Sequence, residues 1–516
     1  MTRSFNASRA MVACAVIFLA AGACMAAVPD ASETAGLIDQ QIEARLAKEN
    51  VSPAKLANDA EFLRRVYLDL RGVVPTYDQA SRFLSDSRTD KRARLVEELL
   101  ASPRYGQYLA DAWQHDLISP LADDRQKRSE IFQKFLADEF NNKTWDQIAS
   151  RLLTASGRME QNPAVIYLIE GRLPRSVPDL TDLTSRYFLG LRLSCAQCHD
   201  HPFAHWKQQD FWGMAAFFAQ IQTPKRAKQV YEKGVIDDRN ITLATLRDAA
   251  KPDGFMLCSP KFLGGPELSE GRTTGRAALA SWMTAPDNPY FARAAVNRAW
   301  WRLFGRGIVN PVDDMDEANP PTHPQLLDLL AQRFIESGFD LKYLTRAIIL
   351  SRAYQRTSRP DGASDAQMAH FGRMSIKVLS AGQLYDSLET IFGPPAKVSG
   401  IDARAGARAE FIQFFGDTAD IDPIAYRRGI PHLLRQMNSG QFGERGMDAL
   451  VSRVMTSGSS PDAIASELFL TILSRQPTPE ELDRIKAYVK HCDSPQSGWR
   501  EVAWVLMMAS EFSLNH

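Results

Sequence analysis

Two cysteines and a histidine stand at a spacing that does chemistry: Cys195-Ala196-Gln197-Cys198-His199. C-x-x-C-H is the attachment pattern of a c-type haem. Two thiols so spaced reach the two vinyl groups of one porphyrin, and the histidine after them meets the iron from the proximal side. With 6 cysteines and 9 histidines in 516 residues, chance supplies such a match on the order of 0.001 times. Two other chemistries suit the same residues. Cys195 and Cys198 with His199, His201 and His205 make a ligand set that can hold zinc. The cysteine pair alone can be a redox dithiol or a disulfide.

A sixth iron ligand would come from elsewhere, since His201 is too close along the chain to reach the opposite face. Met214, Met256 and His323 are the candidates. Against them stand core packing for Met214 and a helix-start hydrogen bond for His323. Arg298 and Arg302, four apart, can bind an anion, but a solvated helix face is the expectation. Asp313, Asp314, Asp316 and Glu317 form an acidic loop that can ligate calcium, expected instead as solvated loop charge. No Gly-x-Ser-x-Gly elbow, His-Glu-x-x-His pair or phosphate loop occurs. Whether the chain is an enzyme stays open.

These residues need elements to position them. Apolar content of 45% and charged content of 24% belong to a soluble globular protein. At 516 residues it exceeds one ordinary core. The formal net charge is zero, with no basic face for nucleic acid. Residues 1–28 read as a signal peptide: Arg3 and Arg9 precede an apolar Ala10 to Ala23, too short to span a membrane. Cys24 after Ala21-Gly22-Ala23 loosely resembles a lipoprotein box, so a lipid anchor at Cys24 is weighed against a cysteine discarded with the leader. The expected location is exported, at the periplasm or cell surface, where c-type haem is attached. Cys195, Cys198, Cys258 and Cys492 are too few for a disulfide scaffold. Whether Cys258 and Cys492 pair is left open.

The remaining pattern is helical. Phe62, Leu63, Val66, Tyr67 and Leu70 share one helix face, and Gly72 ends it. Thr76 with Gln79 predicts a capping box, and Ser102-Pro103 a helix start. Leu180 to Leu191 predicts a helix leading into the motif, and Phe211 to Phe218 one leaving it, so aromatic side chains of either can wall a porphyrin edge, with ordinary core the expected role of any single one. From Thr223 to Gly275 periodicity fades and Gly and Pro gather. Helices resume at Ala277 to Met283, Ala292 to Phe304, Leu341 to Tyr354, Ser380 to Ile391 and Trp499 to Phe512. The reading is mainly α: a signal peptide at 1–28, a helical domain at 29–222, an irregular connector with a few short strands at 223–275, and a helical domain at 276–516. Three similar helix ends, at Leu99, Ile348 and Met507, hint at internal duplication.

Longer runs carry a family resemblance. Cys195 to Phe203 with Trp206-Lys207 and Ala215-Ala216-Phe217-Phe218, Arg65-Val66-Tyr67-Leu68-Asp69-Leu70-Arg71-Gly72, and Leu100 to Gly106 resemble the planctomycete cytochrome-associated family of unknown function. Asn297-Arg298, Phe304-Gly305-Arg306-Gly307, Pro321-Thr322-His323-Pro324, Ser351 to Gln355, and Ser510 to Phe512 with Asn515-His516 resemble its usual partner domain. The arrangement is a PSCyt-type N-terminal domain followed by a PSD-type C-terminal domain. The resemblance implies a secreted, largely helical two-domain protein with a haem motif, but no reaction. Many relatives carry a separate cytochrome c domain ahead of these two. No room for one is expected here, so any haem must use Cys195, Cys198 and His199. Two functions follow as expectations. One is an exported c-type haem protein passing electrons to a redox partner. The other is a zinc- or disulfide-stabilised non-catalytic scaffold in a secreted degradative complex.

Overall fold

The computed structural model describes residues 28–117, 126–170, 177–219, 221–222, 237–238, 244–247, 255–268, 275–359, 365–393, 403–415, 444–457 and 460–516. The leader with Cys24, and the side chain of Met256, lie outside what it describes. Among the described residues there are 22 α-helices and three two-stranded antiparallel ribbons. The fold is mainly α, as the periodicity predicts. No described helix is long and apolar enough to cross a membrane.

Local chemistry explains most boundaries. The Asp59–Arg71 helix stops where Gly72 turns left-handed at φ 67°. Thr76 and Gln79 close their capping box at the start of Tyr77–Ser85. Ser102 ends one helix and Pro103 begins the next. The periodicity misplaces three boundaries. Leu341 to Tyr354 is two pieces, Leu341–Leu350 and Arg352–Gln355, because Ser351 caps the second by accepting from the Tyr354 amide at 3.2 Å. The helix into the motif runs Val177–Thr184, widens to a π-helical turn at Ser185–Leu189, and stops at Gly190. The last helix is Pro495–Met508, leaving Phe512 beyond it.

Two apolar cores result. The larger gathers buried side chains from Ile38 to Met374, together with Leu470, on both sides of the 223–275 connector. Trp145 sits within it, 4.6 Å from the Trp113 ring, 5.3 Å from Phe188 and 6.2 Å from Phe291. Such ring contacts add to plain area burial. The smaller core runs from Leu379 to Phe512 and takes in Leu68 and Val74. In the connector, Ala244–Arg247 pairs with Phe255–Cys258, and Ile221–Gln222 with Asp237–Asp238.

The Asp59–Arg71 helix joins these cores through buried charge. Arg64 donates to four carbonyls, those of Leu514 and Ile472 at 3.2 Å, Glu511 at 3.2 Å and Phe512 at 2.7 Å. Arg65 donates to the Tyr354 and Arg356 carbonyls and to Glu61. Asp69 accepts from Lys377 Nζ at 2.6 Å, Asn515 Nδ2 at 2.7 Å and the Tyr354 hydroxyl at 2.8 Å. Removing one member of such a set leaves the others buried and unpaired. An Asp69→Ala variant should therefore lose about 3–5 kcal/mol of stability, read as a lower urea midpoint. Arg88→Ala, which breaks the exposed pair with Asp86, should leave the midpoint unchanged. An Asp69→Ala protein as stable as the parent would refute this account of the helix.

Candidate functional site

Ser194–Gln197 forms a single 3-10 turn, in which the Ala196 amide donates to the Leu193 carbonyl at 2.9 Å. Three residues per turn put positions three apart on one side. Cys195 and Cys198 are such positions, and both are exposed, free thiols. Leu193 and Ala196 point inward and are buried. The turn is held from beneath. Trp212 Nε1 and Gln208 Nε2, on the Gln208–Ala219 helix, donate to the Gln197 carbonyl at 3.0 and 3.2 Å. The Gln208 amide donates to Asp200 at 2.9 Å.

The histidines differ in what they offer. His199 Nδ1 lies 2.7 Å from the Asp200 carbonyl. A carbonyl only accepts, so Nδ1 holds the proton and Nε2 presents a lone pair. In His201 the roles reverse. Its Nδ1 accepts from the amides of Ala204 at 2.9 Å and Phe203 at 3.3 Å, so its lone pair is spent inside the loop. The His205 ring lies 4.2 Å from that of Trp206, tilted by 39°, with Nδ1 3.7 Å from Glu317. Among the described residues, no three Cys, His, Asp or Glu side chains gather as a metal site.

The acidic loop of the second half docks beside this turn. Asp313 is buried and accepts from Arg186 at 2.8 Å and from Arg192 at 3.0 and 2.6 Å. It is not solvated loop charge, because two guanidiniums have taken it in. The Met315 amide donates to the Gly190 carbonyl at 2.8 Å. Gly190 must be glycine: its φ is 70°, and a Cβ there would lie 2.7 Å from the Met315 sulfur. Asp316 instead caps the amides of Ala318 and Asn319.

Other expectations change. Arg298 and Arg302 do not form a solvated face. Arg298 is 4% exposed, lies over the Tyr187 ring at 4.5 Å, and shares Asp116 with Arg302. Phe211, Trp212, Phe217 and Phe218 are buried core residues, the role expected of each singly, and Trp212 also underlies the motif through the Gln197 carbonyl. Met214 is buried in the same core. His323 begins the Pro324–Glu336 helix but makes no side-chain cap, its ring contacting Thr322, His370 and Phe371. Cys258 and Cys492 are separate thiols. Sequence reasoning missed the support roles of Trp212 and Asp313. Their partners lie 15 to 127 residues away, and no spacing rule reaches so far.

Burial pushes the Asp313 carboxyl up, but Arg186 and Arg192 outweigh it and hold the group below its ordinary value. A depressed carboxyl contributes its full stability above the unfolded value, near pH 4, and loses it as pH falls through the folded value. Asp313→Asn should thus cost about 2–3 kcal/mol at pH 7 and flatten the acid limb of the stability curve. Thermal melts between pH 7 and pH 3 check both. Parallel curves for variant and parent would overturn the ion-pair account.

Residues 37–223 match the model of PSCyt2, a protein of unknown function (DUF1549), and residues 275–430 that of PSD1, a protein of unknown function (DUF1553). No curated protein and no solved structure matches the chain. The turn with Cys195, Cys198 and His199 lies in the first matched region, and the Asp313 loop that docks on it lies in the second. The chain belongs to the family in which an N-terminal PSCyt2 domain of unknown function is followed by a C-terminal PSD1 domain.

Proposed function

We propose that this chain is an exported c-type haem-binding protein that transfers electrons to a redox partner. One observation carries the reading: two free, exposed thiols stand three residues apart, Cys195 within a fixed turn and Cys198 at its end, and the next residue, His199, presents Nε2 with its lone pair free. The residues fit the group. Each thiol would add S–H across one vinyl double bond, which consumes no oxidant. His199 Nε2 would hold the iron, and its Nδ1 proton bound to the Asp200 carbonyl fixes the ring and raises ligand basicity. Phe203, 79% exposed beside the turn, supplies apolar surface of the kind a macrocycle covers. When bound, haem supplies reversible one-electron chemistry. The chain's own part is to hold three attachment atoms on a turn pinned by Trp212 and Gln208.

The test is a pyridine haemochrome spectrum on protein exported by a host with haem c maturation machinery, beside a Cys195→Ala/Cys198→Ala control. A c-type spectrum present in the parent and lost in the control supports the reading. Colourless parent protein from a competent host overturns it. Metal analysis of that colourless sample then separates the two scaffold readings, stoichiometric zinc lost with the cysteines against no metal at all.

A further inference from the structure

We infer that His323, His370, Arg45 and Arg306 form a binding site for a tetrahedral oxyanion, a phosphate or sulfate group. The site shares no residue with the Cys195–His199 turn and does not rest on the haem reading.

Two sequence runs left without a role meet there, Phe304-Gly305-Arg306-Gly307 and Pro321-Thr322-His323-Pro324. The amide and hydroxyl of Thr322 both donate to the Ile308 carbonyl, at 2.9 and 3.0 Å, bringing the runs side by side. His323 is 4% exposed. Its Nδ1 lies 3.1 Å from the Thr322 hydroxyl oxygen, whose own proton is spent on Ile308. That oxygen therefore accepts, Nδ1 keeps its hydrogen, and the buried Nε2 has no partner. The His370 ring is 6.1 Å away, with a buried, unpartnered Nδ1. The Nε atoms of Arg45 and Arg306 are buried and unpartnered too. Arg373, three residues beyond His370, is buried with the same defect.

A buried polar atom without a partner costs free energy, and such atoms in one place call for a missing one. Charge says what kind. Arg45 and His370 act on His323, and Arg45 and Arg306 on His370. Among the described residues, the carboxylate that acts on the cluster is Glu49, which pairs with Arg45 at 3.2 Å and acts on His370. A cation is repelled there. Water satisfies hydrogen bonds but leaves the like charges facing each other. A tetrahedral oxyanion does both, and guanidinium forks suit it. Arg45, Arg306 and His370 are partly exposed, so the anion enters from the surface, with His323 as the floor.

Protonation follows binding. Burial first, then the charges of His370 and Arg45, push the His323 pKa down to about 4, so the empty site holds a neutral ring at pH 7. A bound anion favours the proton at Nε2, which then donates to it. Binding takes up a proton and tightens as pH falls.

Titration calorimetry on the full chain with inorganic phosphate and inorganic sulfate tests this. Saturable binding of one anion per chain is expected, weakened about tenfold or more by Arg306→Gln and, for sulfate, whose own charge is constant over this range, tighter at pH 6 than at pH 8. Lys486→Gln, which removes an exposed partner of Asp462, should bind as the parent does. Melting curves verify that both variants fold. In the parent itself, the His323 imidazole resonance should show a raised pKa with the anion present. Methyl phosphate and methyl sulfate distinguish a site for a free ion from one for an anionic group on a larger molecule, which would bind the esters as tightly. No saturable binding by the parent, or parent-like binding by Arg306→Gln and His370→Asn, overturns the assignment.

Discussion

Arg64, Arg65 and Asp69 are three of the four charged side chains buried on one helix, and most of the architecture follows from finding them partners. A charge removed from water is costly unless it is paired or fully hydrogen-bonded. Apart from Glu61 one turn away, the partners of these three lie at 354 and 356, at 377, at 472 and at 511–515. The helix near the start of the chain therefore cannot pack without the middle and the last residues in place. Burial lowers the Arg64 pKa to about 10, which still leaves it charged at neutral pH, and carbonyl oxygens alone satisfy it. The run from Arg65 to Gly72 is thus explained as architecture, with no chemistry assigned to it.

The same device works at smaller scale beside the Cys195–His199 turn. Asp313 draws Arg186 and Arg192 together, and this ties the residues on either side of Gly190 to a loop from the second half of the chain. The turn then inherits its position from a π-helical turn, an ion pair and the start of the Gln208–Ala219 helix. Sites held by such supports are placed more tightly than sites on free loops. The division within the turn is consistent: Leu193 and Ala196 face in and anchor, while Cys195, Cys198 and His199 face out.

What was legible in the sequence was local. The Cys-x-x-Cys-His spacing, the Thr76–Gln79 capping box and the stops at Gly72 and Gly305 depend on residues within one turn of each other, and the helical periods needed only side-chain hydrophobicity. The break at Ser351 escaped because the apolar period runs straight through it while a hydroxyl cap decides the backbone. Arg298 and Arg302 were misread because four-residue spacing of charges looks the same on a wet face as around a buried carboxylate. Only Asp116, more than 180 residues earlier, tells the two apart. His323 was correctly placed at a helix start, yet the expected cap is absent because its Nδ1 turns to Thr322.

Arg64 and His323 show how burial separates structure from function. Both are polar, both are almost wholly inside, and both have their pKa lowered by that burial. Arg64 has four carbonyl acceptors within 3.2 Å, so its cost is already met by the chain. His323 has one hydroxyl on Nδ1 and nothing on Nε2, and its nearest charged neighbour of known effect, Arg45, has the wrong sign to help a proton stay. Folding alone gives no reason to keep an imidazole there, since an apolar ring would fill the same space without the unpaired nitrogen. The residue makes physical sense when its partner arrives from outside the chain, and the surrounding arginines fix the charge that partner must carry.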